Sequence, residues 1–575
     1  MTQTQSSKYS ERFWKKSWDK GLEDLKPSAW EGTFRDALRK TFDEDADDIA
    51  LTFLGVEFTF RELDHYSSQF ANMLIDEGFK KGDVVGINMP NIPEYVIALV
   101  GAHKAGCVVS GVSPLHSAMQ IQYQLNDLGS GGRKVALVTL DAIFENHITK
   151  IADKVPSLKV VVAANLGDFL PGIKQFLGKL IGKIPKGKIT PLPGKTVLDL
   201  QRDVLGNYPT DLPKVDLTPD DLAYIQYTGG TTGPPKGAML THRNAVADLV
   251  IVQEWLGWER GKHVACSGFP FFHIAGLFFC ENCLYLGWAQ VLVPNPRDTD
   301  YISDQIEEYR PKAYVNVPSL FQMLMKNEKF QELDHSDCDL CISAAAPFPK
   351  ESQEVLEGIV GEGKLLEVYG MTECSPLTVM NPSENKKKLG HIGLPILNTE
   401  LKLVDPTTGE IAPLGKAGEI WVKGPMVMQG YLNKPEETKN AIDEEGYMHT
   451  GDVAIMDEEG YLRLVDRTKD MINVSGFKVF SSKVEDTLSK HPGIDTIALI
   501  GVPDADRPGS ERVKAYIQIT PDYEYKSEKA LKEDITKFAK EQCAAYEVPK
   551  IIEIVDELPL TAVGKIDKKV LRKKQ

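Results

Sequence analysis

Tyr227-Thr-Gly-Gly-Thr-Thr-Gly-Pro-Pro-Lys-Gly237 has the composition of a loop built to hold phosphate. Its glycines free the backbone to turn N–H groups toward one point, the hydroxyls of Thr228, Thr231 and Thr232 add donors, and Lys236 supplies a positive charge. It is not a Walker loop, because G-x-x-x-x-G-K-[ST] cannot be fitted and no Ser or Thr follows Lys236. From about Leu222 to Tyr369 the chain around it alternates short β-branched or apolar runs with helical patterns, the α/β signature. The predicted strands are Leu222 to Tyr227, His263 to Cys266, Gln290 to Val293, Ala313 to Val317, Leu340 to Ala344 and Leu365 to Tyr369. Helical stretches lie between them at Ile302 to Tyr309, Leu320 to Lys326 and Glu351 to Val360. Four segments follow the C-terminal end of a predicted strand: the Gly/Thr loop, Pro270-Phe-Phe-His-Ile-Ala-Gly276, Ala344-Ala-Ala-Pro347 and Tyr369-Gly-Met-Thr-Glu373. That places them on one edge of an open parallel sheet, where ligands bind.

An earlier half, from about Thr52 to Ala164, carries an amphipathic helix near Phe60 to Glu77 and a helix and strand around Glu94 to Val109, and reads as a second lobe. After about Leu394 the texture changes to short strands and turns, as in Glu400 to Asp405, Gly418 to Gly424 and Gly460 to Asp466, which suits a small antiparallel barrel or sheet. Beyond Asp466 comes an α+β unit of roughly a hundred residues. The expected fold is therefore α/β: a large N-terminal domain (1–466) of two doubly wound lobes plus a small β-barrel-like subdomain, a hinge at 467–470, and a small mobile α+β C-terminal domain (471–575).

A chain of 575 residues with 42% hydrophobic and 26% charged residues is an ordinary globular protein of several packed units. The net charge of −16 excludes a basic nucleic-acid face. The N-terminal Met1-Thr-Gln-Thr-Gln-Ser-Ser lacks a basic region and an apolar core, and no run of 18 apolar residues follows, so neither an export signal nor a membrane span is expected and the cytoplasm is the expected compartment. Eight cysteines suit a reducing compartment. Cys280-x-x-Cys283 and Cys338-x-x-Cys341 look like halves of a zinc site, but the 54 residues between them exceed the spacing of about 15–20 in such sites, and the expectation is buried, unmetallated thiols. Between Ile173 and Ile184 the residues Ile173, Phe176, Leu177, Leu180, Ile181 and Ile184 share a helical face flanked by Lys174, Lys179 and Lys183. Two readings stay open, a helix packed on the neighbouring lobe and one lying peripherally on the inner face of an anionic membrane.

The Thr228–Gly237 loop, Tyr369-Gly-Met-Thr-Glu373, Thr450-Gly-Asp452, and Asp466-Arg-Thr-Lys-Asp-Met-Ile472 followed by Ser475-Gly-Phe-Lys478 together resemble the adenylate-forming acyl-CoA synthetases, from about Ser28 to Gly564-Lys565. Asn295-Pro-Arg-Asp298 makes the resemblance closest to long-chain fatty-acid CoA ligases. It implies ATP, Mg²⁺ and coenzyme A, and two half-reactions: formation of acyl-AMP and pyrophosphate, then displacement of AMP by the CoA thiol. A carboxylate attacking an anionic triphosphate needs its charge neutralised. The resemblance assigns that task to Thr228, Gly229, Gly230, Thr231, Thr232, Gly233 and Lys236 on the β- and γ-phosphates, Thr372 on the α-phosphate, and Glu373 on Mg²⁺. It places Tyr369 and Gly370 at the adenine ring, the backbone of Ala344, Ala345 and Ala346 at the adenine edge, and Asp452 on the ribose hydroxyls with Arg467 assisting. Lys565 corresponds to the mobile lysine of adenylation, Lys469 to the hinge, and Gly476 to the loop that approaches CoA. Asn473 departs from the pattern, since many relatives carry there a lysine that assists thioester formation.

Pro270-Phe-Phe-His273 resembles the loop whose His borders the acyl pocket, with Ile274, Ala275, Gly276 and Leu277 lining a tunnel. No acidic residue between Phe271 and Leu277 offers a partner to an ammonium, which disfavours an amino-acid substrate. The expected substrate is a medium- to long-chain fatty acid. An aromatic or short acid, or a non-catalytic lipid- or nucleotide-binding role on the same fold, are the alternatives, and a homodimer stays open as the assembly.

Overall fold

The computed structural model describes residues 9–172, 174–175, 178, 184–228, 234–475, 477–504, 507, 510–560 and 566–574. Gly229, Gly230, Thr231, Thr232, Gly233, Gly476 and Lys565 lie outside these residues, as do Ile173, Phe176, Leu177, Lys179, Leu180, Ile181 and Lys183 of the basic amphipathic stretch.

Among the described residues two large sheets form the body of the molecule. One has nine strands, in the order Leu394–Pro395, Leu377–Met380, Leu365–Gly370, Leu340–Ser343, Ala313–Asn316, Val264–Ser267, Ala289–Leu292, Ile49–Phe53 and Val56–Thr59. Its pairings are parallel from Leu365–Gly370 through to Ile49–Phe53. The other has eight, in the order Gly430–Tyr431, Lys236–Thr241, Leu222–Thr228, Val108–Gly111, Val84–Asn88, Val135–Leu140, Leu158–Ala164 and Thr196–Asp199. These short, β-branched runs are buried on both faces, as parallel strands with helices on either side must be. Helix Pro93–Lys104 is buried all round, and helices His242–Leu256 and Ile274–Leu286 nearly so. Such helices need protein on every side, and one continuous core joins them to strands of both sheets.

The one-edge expectation needs correction here. Strand Leu222–Thr228 lies in the eight-stranded sheet, paired with Val108–Gly111, whereas the strands carrying the other three loops lie in the nine-stranded sheet. The loops converge because the sheets do: a Cβ at Gly111 would come within 2.4 Å of the Phe272 carbonyl oxygen, so only glycine lets the two meet there.

A four-stranded antiparallel sheet follows (Glu400–Val404, Ala417–Lys423, Met448–Met456, Leu462–Arg467), where a small barrel or sheet was expected. The small C-terminal domain has a hairpin (Ile472–Val474, Phe477–Val479), a three-stranded sheet (Ile494–Pro503, Glu511–Ile519, Ile551–Ile554) and helices Ser481–Leu488, Glu528–Gln542 and Lys568–Lys573 around its own core. Cys280 and Cys283 are buried within helix Ile274–Leu286, while the Sγ atoms of Cys338 and Cys341 lie 3.8 Å apart in a different hydrophobic cluster. No helix among the described residues is long and apolar enough to cross a membrane.

Candidate active site

Strands Leu222–Thr228 and Lys236–Thr241 pair antiparallel with Thr228 opposite Lys236, so the Gly/Thr loop leaves and returns at neighbouring positions. Lys236 Nζ lies 2.6 Å from Glu437 Oε2 on helix Pro435–Ala441 and 4.8 Å from the ring centroid of Tyr431. Tyr431 is brought there by the strand Gly430–Tyr431, which pairs with Lys236–Thr241. Its hydroxyl donates to Glu373 Oε1 at 2.6 Å. Glu373 sits in the turn Thr372–Cys374 after strand Leu365–Gly370, and its carbonyl accepts from the Met428 N–H at 2.9 Å. Burial raises the Glu373 carboxyl above its ordinary range, against the Tyr431 hydrogen bond and the charge of Lys236, which favour the anion. A carboxylate held by Tyr431, the residue that also meets Lys236, is the hard oxygen donor that Mg²⁺ takes, so Glu373 fits that ion.

Tyr369, at the end of the same strand, donates its hydroxyl to Asp452 Oδ2 at 2.8 Å, and Arg467 Nε donates to Asp452 Oδ1 at 2.8 Å. The second contact follows from register, since Asp452 and Arg467 are paired across two antiparallel strands. Asp452 is buried, and its backbone N–H donates to Thr450 Oγ1. Ala345 has φ +70°, a left-handed conformation rare for a residue with a Cβ, so the Ala344–Ala346 backbone turns sharply at the mouth of strand Leu340–Ser343.

His273 caps helix Ile274–Leu286, its Nδ1 accepting from the Ala275 N–H at 3.3 Å. An apolar cavity of about 40 Å³ runs along this helix, between it, helix His242–Leu256 and the ends of four strands of the nine-stranded sheet. Room for a water takes about 10–15 Å³, so the space is slender. Of the tunnel residues expected from sequence, Ala275 lines it; Ile274, Gly276 and Leu277 do not. Helical spacing is the reason: Ala275, Phe278, Phe279 and Asn282 follow the i, i+3, i+4, i+7 pattern of one face. Phe271 packs instead on Tyr95, with ring centroids 5.4 Å apart. The cavity is also lined by Ala344, at the start of the alanine turn, and by Pro376 and Leu377, which follow the turn that carries Glu373.

Two family models fit the chain: AMP-binding enzyme over residues 38–432 and AMP-binding enzyme C-terminal domain over 483–565. The chain belongs to the AMP-binding enzyme family. It is 38% identical to the long-chain-fatty-acid–CoA ligase of Escherichia coli O157:H7 over 92% of each chain, and 35% identical to that of Bacillus subtilis strain 168 over 90% of each. Its fold matches the crystal structure of the anthranilate CoA ligase AuaEII in complex with anthranoyl-AMP, with a TM-score of 0.82 at 26% identity over 96% of this chain and 99% of that one.

In this AMP-binding enzyme the joint between the large and small domains is heavily tied. Asp466, buried at the end of strand Leu462–Arg467, accepts from the backbone N–H of Ser481 and from its Oγ, and burial pushes its carboxyl up to about 6. Asp470 pairs with Arg572 at 2.5 Å. Lys469, between them, is pushed down to about 8 by burial and by the charge of Arg467. Lys478 of the hairpin pairs with Asp405, which follows strand Glu400–Val404, at 3.0 Å. The sequence reading missed Tyr431, Glu437 and Asn282. Tyr431 and Glu437 carry no local motif; the pairing of strand Gly430–Tyr431 with Lys236–Thr241, and the helix that follows it, bring them to Lys236.

Proposed function

We propose that this enzyme activates a long-chain fatty acid with ATP and transfers the acyl group to coenzyme A, releasing AMP and pyrophosphate. The observation that carries the reading is the shared wall: Ala344, Pro376 and Leu377 bound the apolar cavity on one side and flank the Glu373 and Ala345 turns on the other. An acid whose tail fills that cavity has its carboxylate beside the phosphate-binding groups.

In the first half-reaction a carboxylate oxygen attacks the α-phosphorus of ATP and the bond to pyrophosphate breaks. Lys236 and the hydroxyl of Thr228 hold phosphate charge, and Thr372 faces the α-phosphate. Glu373 would hold Mg²⁺, which supplies charge neutralisation at the phosphates. Asp452, an acceptor held by Tyr369 and Arg467, takes the ribose hydroxyls, and the Ala344–Ala346 backbone takes the adenine edge. Lys565 bridges carboxylate and α-phosphate. In the second half the CoA thiolate attacks the acyl carbonyl and AMP leaves, after the small domain turns about residues 467–470 and brings the Gly476 loop to the site.

We extend the reading to a peripheral seat on the inner face of an anionic membrane through residues 173–184. Changing Lys174, Lys179 and Lys183 to Glu should reduce sedimentation with anionic vesicles. Lys174 Nζ already donates to the Leu54 carbonyl at 3.1 Å, so the double change at Lys179 and Lys183 is the cleaner arm. A homodimer is the assembly to check by sedimentation equilibrium. Pyrophosphate release measured across acids from acetate to palmitate, with benzoate, tests the central reading; turnover of benzoate or acetate in preference to palmitate overturns it.

A further inference from the structure

The cavity that receives the acid is apolar except at one point. Among the described residues the only side-chain amide that lines it is that of Asn282, on the face of helix Ile274–Leu286 that also presents Ala275, Phe278 and Phe279. Asn282 is 1% exposed. Its Nδ2 donates to the Phe278 carbonyl at 3.1 Å, which ties one of the amide's two N–H groups to the helix. Its Oδ1 is buried and has no hydrogen-bond partner among the described residues. A residue serving only to pack against a fatty chain would be apolar there, because a buried acceptor left unpaired is a standing cost.

We infer that Asn282 recognises a hydroxyl group carried part-way along the acyl chain, so that the substrate class is a long-chain hydroxy acid. This rests on the acyl-ligase reading above and specifies its substrate. The chemistry follows from what is free. The unpaired atom is Oδ1, an acceptor, which a hydroxyl satisfies and which a keto group or a plain methylene leaves unpaired. The position follows from the helix. Asn282 lies nine residues beyond His273, about 13 Å along the axis. An extended chain with carbon–carbon bonds of about 1.5 Å covers that distance in roughly ten carbons from a carboxyl group at the helix start. A site built around a substrate hydroxyl discriminates strongly against the analogue lacking it, since binding the analogue leaves the protein acceptor unpaired.

The test compares kcat/KM for stearate, 10-hydroxystearate, 12-hydroxystearate and 10-oxostearate in the wild-type enzyme and in Asn282→Leu. The better hydroxy acid should exceed stearate by about tenfold or more in the wild type and should also exceed the oxo acid, which leaves Oδ1 unpaired, and in Asn282→Leu the ratio of hydroxy acid to stearate should fall below one. Equal wild-type efficiencies for hydroxy acid and stearate, the result of a bound water satisfying Oδ1, overturn the inference. So does a preference that survives in Asn282→Leu. The wild-type comparison of the hydroxy acid with both stearate and the oxo acid decides the matter on its own if the variant does not fold. Failure to turn over any of the four acids would instead sink the ligase reading.

Discussion

The hydroxyl of Tyr431 donates a 2.6 Å hydrogen bond to Glu373 Oε1 while the ammonium of Lys236 lies 4.8 Å from the centre of the same ring. One side chain thus orients both the carboxylate expected to hold Mg²⁺ and the lysine expected to hold phosphate. Tyr431→Phe keeps the ring under Lys236 and removes only the hydrogen bond. A hydrogen bond to a charged group is worth about 1.5–3 kcal/mol, so ATP-dependent turnover should fall by about ten- to a hundredfold, with the Mg²⁺ dependence moved to higher concentration. A Mg²⁺ titration of pyrophosphate release measures it, and an unmoved midpoint would separate Glu373 from the metal.

Lys236 is engaged by Glu437 in this structure, an ion pair that a phosphate bound by Lys236, as proposed, would have to displace. Glu437 is half exposed, so the pair is weak, and Glu437→Gln should lower KM for ATP by about two- to fivefold, with the gain shrinking as salt rises. A higher KM in the variant would mean that Glu437 positions the lysine and does not compete for it.

The strands were legible because each is a short apolar run between Gly- or Pro-bearing turns; Leu340–Ser343 and Leu365–Gly370 fall within a residue of the positions read from sequence. Their partners were not. Strand Leu222–Thr228 reads as the first of one alternating series, yet it pairs with Val108–Gly111, more than a hundred residues earlier, and that choice is made by packing of whole lobes. Asp452 and Glu373 stand in compact local motifs that the sequence alone displays. Tyr431 was not, because its role depends on pairing opposite Ala238. In helix Ile274–Leu286 nearly every side chain is buried, so composition could not tell which face lines the cavity, and the tunnel was assigned to consecutive residues instead of to one helical stripe.

Glu281, fully buried on that helix, accepts from the Tyr224 hydroxyl, and burial pushes its carboxyl up to about 8. A carboxyl raised above its unfolded value near 4.3 stabilises the fold fully below that value, and this contribution is lost as pH rises through the folded value. Between about pH 5 and about pH 9 the melting temperature of the wild type should therefore fall relative to that of Glu281→Gln, which has no proton to lose. Parallel melting curves for the two proteins over that range would show that Glu281 does not titrate there.

Lys565→Ala should depress acyl-AMP formation by several orders of magnitude, because it removes the charge expected to bridge carboxylate and α-phosphate. Conversion of pre-formed acyl-AMP and CoA to acyl-CoA should survive. The two halves are measured separately, by pyrophosphate exchange and by thioester formation from synthetic acyl-AMP. Equal losses in both would deny Lys565 a role confined to adenylation.

Catalytic efficiency should climb with chain length among linear acids longer than about eight carbons, since each buried methylene adds about 0.8 kcal/mol, roughly fourfold per carbon, until the cavity is full. Val252, Leu256, Trp258, Phe278 and Met380 line a space too slender for this gain without closely fitted walls. Ala275 lines that space, two residues beyond His273, and a larger side chain there takes room from the acid that enters. Ala275→Phe should therefore shift the optimum to shorter acids and flatten the climb, while KM for ATP stays within about twofold because the phosphate and ribose groups are untouched. A profile that peaks at the same acid in both proteins would place the growing end of the chain elsewhere, and a wild-type optimum at acetate or propionate would remove the long-chain assignment while leaving the adenylation site as described.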